Sequence, residues 1–385
     1  MKIQFDKNDK EQLELIKAMA SKNKVVAAEA QESFAELLSP VVSEQYPLEG
    51  TSQLLYRNDT YTEGTNPTLA LDLLVGKDEN YISIWTSGPM PGGAPTNTVQ
   101  IAPEEFPILP YKLETAISYL KTWASQSRLN VVARVIERLY EEILLKSEDN
   151  AWYVALAAIV GSTNPDSTNL GNLRATATPG TFTLDDLNKL FTAFRRTNPS
   201  WAGGSTPGRG SFPTDLIMSP EIFEKIRSFA YQPVNTVGGN FTAITSNTQN
   251  SAAAVVTLSD ADRAKLFGGA GTPNFFGTNI TVIDEFGPTQ RYNTMFASLV
   301  GSTAVPLLTG GTRTFSNATS DIILAIDATK DFAWRLLATD ADNGNVLTLE
   351  ADDQFIKRSE KIGSYGSVKE ARVVTETRGL LGLIV

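Results

Sequence analysis

The residues with the best claim to chemistry are the acids and amides of Asp340-Ala341-Asp342-Asn343-Gly344-Asn345. Oxygen donors at alternate positions suit a calcium loop, which needs acids or Asn at one, three and five, Gly at six and Glu at twelve. Here Gly344 stands at five, Asn345 at six and Glu350 at eleven, so the register fails and Asn343-Gly344 reads as a hairpin turn. Asp185 and Asp186 fall in the first turn of an expected helix, where the dipole favours negative charge. Asp260, Asp262, Asp352 and Asp353 stand in turns or helix starts, and spacing alone does not make a paired-carboxylate site. The glycines of Trp201–Pro213 match neither a phosphate loop nor a dinucleotide fingerprint. Sequons at Asn58, Asn240, Asn279 and Asn317 follow no secretory signal and are expected to be unmodified. Histidine and cysteine are both absent, which removes thiolate chemistry, disulfides, the commonest general base and the commonest metal ligand. No catalytic residue, metal site or cofactor site is expected.

The elements around these residues are organised by Ser125–Gly161. Leu129, Val132, Ile136, Leu139 and Ile143 recur at spacings of three and four, the mark of one buried helical face. Ser125 or Ser127 is the expected cap and Gly161 the expected stop of one long helix, or of two end to end. Arg138 and Glu142 form a supporting pair on the outer side. Residues 1–45 read as two helices, the second running from Ala27 to Leu38 and stopped by Pro40. Strands are expected at Thr51–Tyr56, Thr68–Val75 and Tyr81–Trp85, with a polar tip at Gly76–Asn80. Residues 106–124 give a strand entering the long helix, and 162–180 a loop. A helix from Thr183 to Arg196 follows, then a strand at Asp215–Met218 and a helix at Glu221–Ala230. Further on, 257–267 reads as a short helix, and Asn279–Ile283, Thr294–Val300, Asp321–Ile326, Phe332–Ala338, Val346–Glu350, Ala371–Thr375 and Leu380–Val385 as strands, with a polar loop at 309–320.

At 385 residues, 42% hydrophobic and 20% charged, the chain is globular and long enough for two or three units. Its net charge of −10 opposes wrapping of nucleic acid by phosphate neutralisation. No apolar run approaches the ~20 residues that cross a bilayer, so no membrane partner is expected.

In order, these elements are a helical arm, an extended hairpin, a strand feeding a very long helix that carries Glu148-Asp149-Asn150-Ala151-Trp152, and an α/β region. That region holds DLIMSPEIFEKIRSF, NITVIDEFG and DIILAIDATKDFAWRLL, and a β segment closes the chain. Over essentially its whole length the chain resembles the major capsid proteins of tailed bacteriophages, the Hong Kong 97-type fold. The resemblance implies an α+β fold with an N-terminal arm (1–49), an extended loop (50–105), a peripheral domain (106–180) with its spine helix at 125–160, a mostly axial domain (181–345), and closing strands (346–385). It implies a self-assembling icosahedral shell of hexamers and pentamers around double-stranded DNA, made in the host bacterial cytoplasm and found in the virion. Many copies of the chain would be its partners, with a portal and decoration proteins. A separate scaffolding protein is implied as well, because no scaffolding segment precedes the arm. Intersubunit contacts would fall at the loop tip, Lys77, Asp78, Glu79 and Asn80, and on the arm at Leu13, Ile16 and Phe34. Some members cross-link a loop lysine to an asparagine with help from a glutamate, and Lys77, Asn343, Asn345 and Glu350 are the available residues. An encapsulin-like compartment holding enzyme cargo shares the same pattern. A carbohydrate-binding or adhesive surface protein is the rival from another class, and a serine- or lysine-based enzyme has no motif behind it.

Overall fold

The computed structural model describes residues 10–71, 104–126, 129–162, 171–197, 212–231, 273–329, 332–341, 344–351, 361–375 and 377–385. The fold is α+β, and the chain divides into two compact units. The first takes the described residues of Met1–Ala70, Glu105–Val154 and Ala333–Val374; the second takes those of Leu71–Glu104, Ala155–Phe332 and Thr375–Val385.

In the first unit, helices α1 (Lys10–Met19), α2 (Lys24–Gln45) and α3 (Lys121–Ser125) and the start of α4 (Leu129–Gly161) accompany a five-stranded sheet. At 33 residues, α4 is about 50 Å long. Val132, Ile136, Leu139 and Ile143 are all buried, as their spacing requires, and Arg138 pairs with Glu142 at 3.0 Å. Ser125 does not cap this helix: it ends α3, where its hydroxyl donates to the Thr122 carbonyl. Gly161 is the last helical residue.

The sheet contains β1 (Arg57–Thr62), β4 (Tyr111–Leu120), β12 (Ala333–Thr339), β13 (Leu347–Ala351) and β14 (Lys361–Val374). Ten residues of β4 pair antiparallel with β14, and β1 runs parallel to β12. Leu139 and Ile143 rest directly on β14. A Cβ at Gly366 would lie 2.5 Å from a Leu139 methyl, so only glycine lets helix and strand approach this closely.

Four local expectations change here. Pro40 does not stop the second helix, which runs on to Gln45. Losing one backbone bond to proline costs ~3 kcal/mol. Burial of Phe34, Leu38 and Val42 offsets this loss, as do the bonds from the Ser39 hydroxyl to the Leu347 carbonyl and from Val346 N–H to Ser43. Thr51–Leu54 is a 3₁₀ turn, not a strand, and β1 begins only at Arg57. Strands β12 and β13 do not pair with each other as the expected hairpin would require. Glu370 of β14 pairs with both Leu337 of β12 and Tyr111 of β4, and Gly366 pairs with both Leu349 of β13 and Thr115 of β4. Strands β12 and β13 therefore lie one after the other along the same edge of β14. Between them, Asp340 N–H donates to Asn345 O (3.0 Å) and Gly344 N–H to Asp340 O (2.9 Å). The strand expected to begin at Ala371 begins ten residues earlier, at Lys361. Strands β2 (Thr68–Leu71) and β3 (Glu104–Pro107) pair with each other, and Ile108 N–H donates to the Pro67 carbonyl beside them. The expected tip and the strand Tyr81–Trp85 lie outside the described residues.

The second unit holds a six-stranded sheet in the order β5-β15-β11-β6-β8-β7. Its strands are β5 (Leu173–Ala175), β6 (Asp215–Met218), β7 (Asn274–Phe275), β8 (Thr278–Val282), β11 (Ile322–Ile326) and β15 (Leu380–Ile384). Every residue of β11 and β15 is buried, which accounts for their unbroken apolar sequences. Helices α5 (Leu184–Thr197) and α6 (Pro220–Tyr231) cover one face through Leu187, Leu190, Phe194, Ile222 and Ile226. Thr183 and Asp186 cap α5 reciprocally. Thr294–Val300 is not a strand but part of helix α7 (Arg291–Val300), in which Tyr292, Phe296 and Val300 share the buried face. A short apolar run of this kind fits either period, and length decides it. The loops at 162–180 and 309–320 contain strands too, β5 and β10 (Thr312–Thr314), the latter paired with β9 (Ala304–Pro306). The expected closing segment 346–385 is divided: β13 and β14 stand in the first unit, β15 in the second.

Truncating Ile136 tests the α4–sheet packing. Ile136→Ala is expected to lower stability by about 2–5 kcal/mol, read from a shifted urea midpoint at constant slope.

Candidate functional site

Among the described residues, no group of three or more acids could hold a metal. The most unusual chemistry is a buried charge cluster in the first unit. Glu370 on β14 is wholly buried, as is Ser147 on α4, while Arg335 on β12 and Arg372 on β14 are nearly so. Strand alternation puts Glu370 and Arg372 on one face.

Glu370 is surrounded by donors. Its Oε1 accepts from the Ser147 hydroxyl (2.8 Å) and the Tyr111 hydroxyl (2.8 Å), with Arg372 Nε at 3.5 Å. Its Oε2 accepts from Arg335 Nε (3.1 Å) and Nη2 (3.0 Å) and from the Tyr46 hydroxyl (3.2 Å). The Ser147 oxygen accepts in turn from Arg372 Nη2 at 2.7 Å. Each guanidinium lies over an aromatic face, Arg335 over Tyr46 (4.7 Å) and Arg372 over Tyr56 (5.1 Å).

A second carboxylate completes the charge balance. Glu148, next to Ser147 on α4, accepts four bonds from residues 51–52: Thr51 N–H (2.9 Å), Thr51 hydroxyl (2.8 Å), Ser52 N–H (2.9 Å) and Ser52 hydroxyl (2.8 Å). The Ser52 oxygen accepts from Arg372 Nη1 at 3.1 Å, which links the two halves. Trp152 Nε1–H donates to the Thr51 hydroxyl at 3.0 Å, and the Tyr56 hydroxyl donates to the Ala151 carbonyl at 2.7 Å. Gly50 has φ +128°, and a Cβ there would stand 2.2 Å from Glu148 Oε1, so position 50 requires glycine.

Burial by itself would raise the Glu370 carboxyl, but Arg372 and then Arg335 pull it below its ordinary value. Burial, and after it the Glu370 charge, raises the Tyr46 and Tyr111 phenols far above their usual range, which keeps both as donors. The cluster fastens four distant segments: residues 46–56, β4, α4 and the β12/β14 pair. It can hold structure; it presents no nucleophile, open cavity or solvent-exposed base.

The candidate residues scatter. Ile16 and Phe34 are buried in this chain's own core, with Leu13 partly buried against it. Asn345 donates through Nδ2 to the Ser39 hydroxyl at 3.2 Å, and Glu350 is exposed on β13. Lys77, Asp78, Glu79, Asn80, Asn343, Asp260, Asp262, Asp352 and Asp353 lie outside the described residues. Of the four cross-link candidates, only Asn345 and Glu350 lie among the described residues. Sequence reasoning missed Glu370, Arg335 and Arg372. Their signal was an Arg inside the apolar run Phe332–Ala338, and opposite charges two apart beside Ala371 and Val373.

No protein-family model matches the chain, and no curated protein matches it. Among solved structures it is similar to the capsid of cyanophage P-SCSP1u, at 17% identity over 86% of each chain with a TM-score of 0.43. It is similar to the SrpI encapsulin complex of Synechococcus elongatus PCC 7942, at 12% identity over 87% of each chain with a TM-score of 0.41. It is also similar to the capsid of an empty GTA particle, at 12% identity over 87% of this chain and 90% of that one, with a TM-score of 0.46.

Two results test the cluster. Glu370→Gln strands two buried guanidinium groups and is expected to cost about 3–5 kcal/mol at pH 7. Because the folded carboxyl titrates below its unfolded value, its contribution is complete above pH ~4.5 and is lost as pH falls through the folded value. The variant's acid unfolding limb should accordingly be flatter than the wild type's. Gly50→Ala is expected to cost about 1–3 kcal/mol and to speed protease cleavage within residues 50–56, followed by mass spectrometry.

Proposed function

We propose that the chain is a shell protein of the Hong Kong 97 type, many copies of which close into an icosahedral container around double-stranded DNA. The observation that supports this best is the construction of the first unit. The end of a two-helix arm, at Tyr46, and the turn at Thr51 and Ser52 are fastened by Glu370 and Glu148 to a sheet lying under α4. That arrangement supports reading the first two helices as an arm and α4 as a spine helix.

The surface adds support. Helix α2 buries one face in its own unit, yet Leu37 and Val41 on its other side are 55% and 47% exposed, and Leu48 just beyond is 71% exposed. Apolar groups gathered this way gain from cover by another molecule. The acidic net charge would limit condensation of DNA on the wall. Lys77 at the loop tip, a scaffolding protein, a portal and decoration proteins belong to the same proposal.

The test is electron microscopy of native particles with an assay of their contents. Closed shells holding DNA support a capsid. Shells holding enzyme cargo point to the encapsulin-like compartment, and a chain that stays monomeric under all assembly conditions rejects both. The double variant Leu37→Asp/Val41→Asp is expected to cut particle yield at least about tenfold while changing monomer stability by less than about 0.5 kcal/mol, compared by sedimentation and urea unfolding.

A further inference from the structure

The seam between the two-helix arm and the sheet of the first unit contains a small cavity. Its lining includes Met19 at the end of α1, Gln31 and Phe34 of α2, Tyr119 of β4, Leu349 of β13 and Ser364 of β14. About 10 Å³ of it is open to the centre of a water molecule. Roughly 10–15 Å³ on that measure holds one water. Sheet register builds one wall. Tyr119 pairs with Ile362, two residues before Ser364, and Leu349 pairs with Gly366, two residues after it. Tyr119, Leu349 and Ser364 therefore project from one face.

Gln31 is the polar residue on the arm side. It is 3% exposed, and its Nε2 donates to the Met19 carbonyl at 3.4 Å. That carbonyl ends α1 and can only accept, which fixes the amide with Nε2 toward it. The other end of the amide, Oε1, is buried and meets no donor from the protein. Buried polar atoms are ordinarily satisfied, by protein or by ordered water. On the sheet side, Tyr119 and Ser364 are the hydroxyl-bearing residues of the lining. Burial raises the Tyr119 phenol above its usual range, which keeps it protonated and able to donate.

We propose that this cavity is the seat of one ordered water, which donates to Gln31 Oε1 and is held from the sheet by the Ser364 and Tyr119 hydroxyls. Three partners are the usual complement of a buried water. The water joins the first half of α2 to β4 and β14. Further along the arm the joints are direct: the Ser39 hydroxyl to the Leu347 carbonyl, Val346 N–H to the Ser43 oxygen, and the Tyr46 hydroxyl to Glu370. The polar links of α2 to the sheet thus run through solvent at Gln31 and directly from Ser39 onward.

The site is tested on the full chain by a density map that resolves ordered waters and by two substitutions. The map is expected to show one peak about 2.7–3.2 Å from Gln31 Oε1 and from the Ser364 hydroxyl. Gln31→Met keeps the side-chain length and removes the amide. Ser364→Ala leaves the bond from Gln31 to Met19 in place. Each is expected to lower the urea midpoint at constant slope. Each should also speed hydrogen exchange across residues 24–35 about fivefold, the worth of one net hydrogen bond. Residues 132–146 of α4 serve as reference. The double variant is expected to lose less than the sum of the two, since both act on the same water. A dry cavity gives the reverse for Gln31→Met, whose midpoint would rise because an unsatisfied oxygen is removed. No peak in a map that shows other buried waters, a raised midpoint in Gln31→Met, or additive losses in the double variant overturns the proposal. If Gln31→Met does not fold, the peak in the wild type and its loss in Ser364→Ala decide it.

Discussion

A carboxylate withdrawn from water is tolerated only where other groups replace its hydration, and the first unit depends on meeting that condition at Glu370. Three hydroxyls and two guanidinium groups converge on it, contributed by chain segments up to 324 residues apart. Hydrophobic burial under α4 is non-directional and would accept small shifts of helix against sheet. The cluster does not, since each donor is within hydrogen-bonding reach in only one arrangement. Glu148 extends the same constraint to residues 50–52, so the turn that leads into β1 is set by α4 itself.

The two units follow different rules. The second is built on fully apolar central strands with helices laid over one face, and its buried polar groups sit at the strand ends, Ser219 and Asp321 at one and Asp215 and Thr278 at the other. The first places its charges in the middle of the structure, beneath its longest helix. Acid therefore weakens the first unit's cluster, whose carboxylate is held ionised by two guanidinium groups.

Much of this was legible because periodicity records burial. The α4 stripe, the α5 face of Leu187, Leu190 and Phe194, and the solid apolar runs of β11 and β15 could each be read from spacing. Where the reading went wrong, a distant partner outweighed local preference. Pro40 is carried through α2 by contacts with β13, some 300 positions away. Thr51 and Ser52 are β-compatible residues held in a 3₁₀ turn by a glutamate nearly 100 positions on. Candidate chemistry was sought among exposed acids in turns, whereas the groups that matter are charges inside strands, where their neighbours looked like ordinary core.

Because β12 and β13 share one edge of β14, the turn between them is a detour rather than a reversal. Strand register on either side is fixed independently by β14, so the length of the detour carries no information that the sheet needs. The exposed Ala341 is in that sense free sequence: foreign peptide joined there would be displayed from the sheet margin without re-pairing a strand. A true hairpin, whose loop length sets its register, would not allow that.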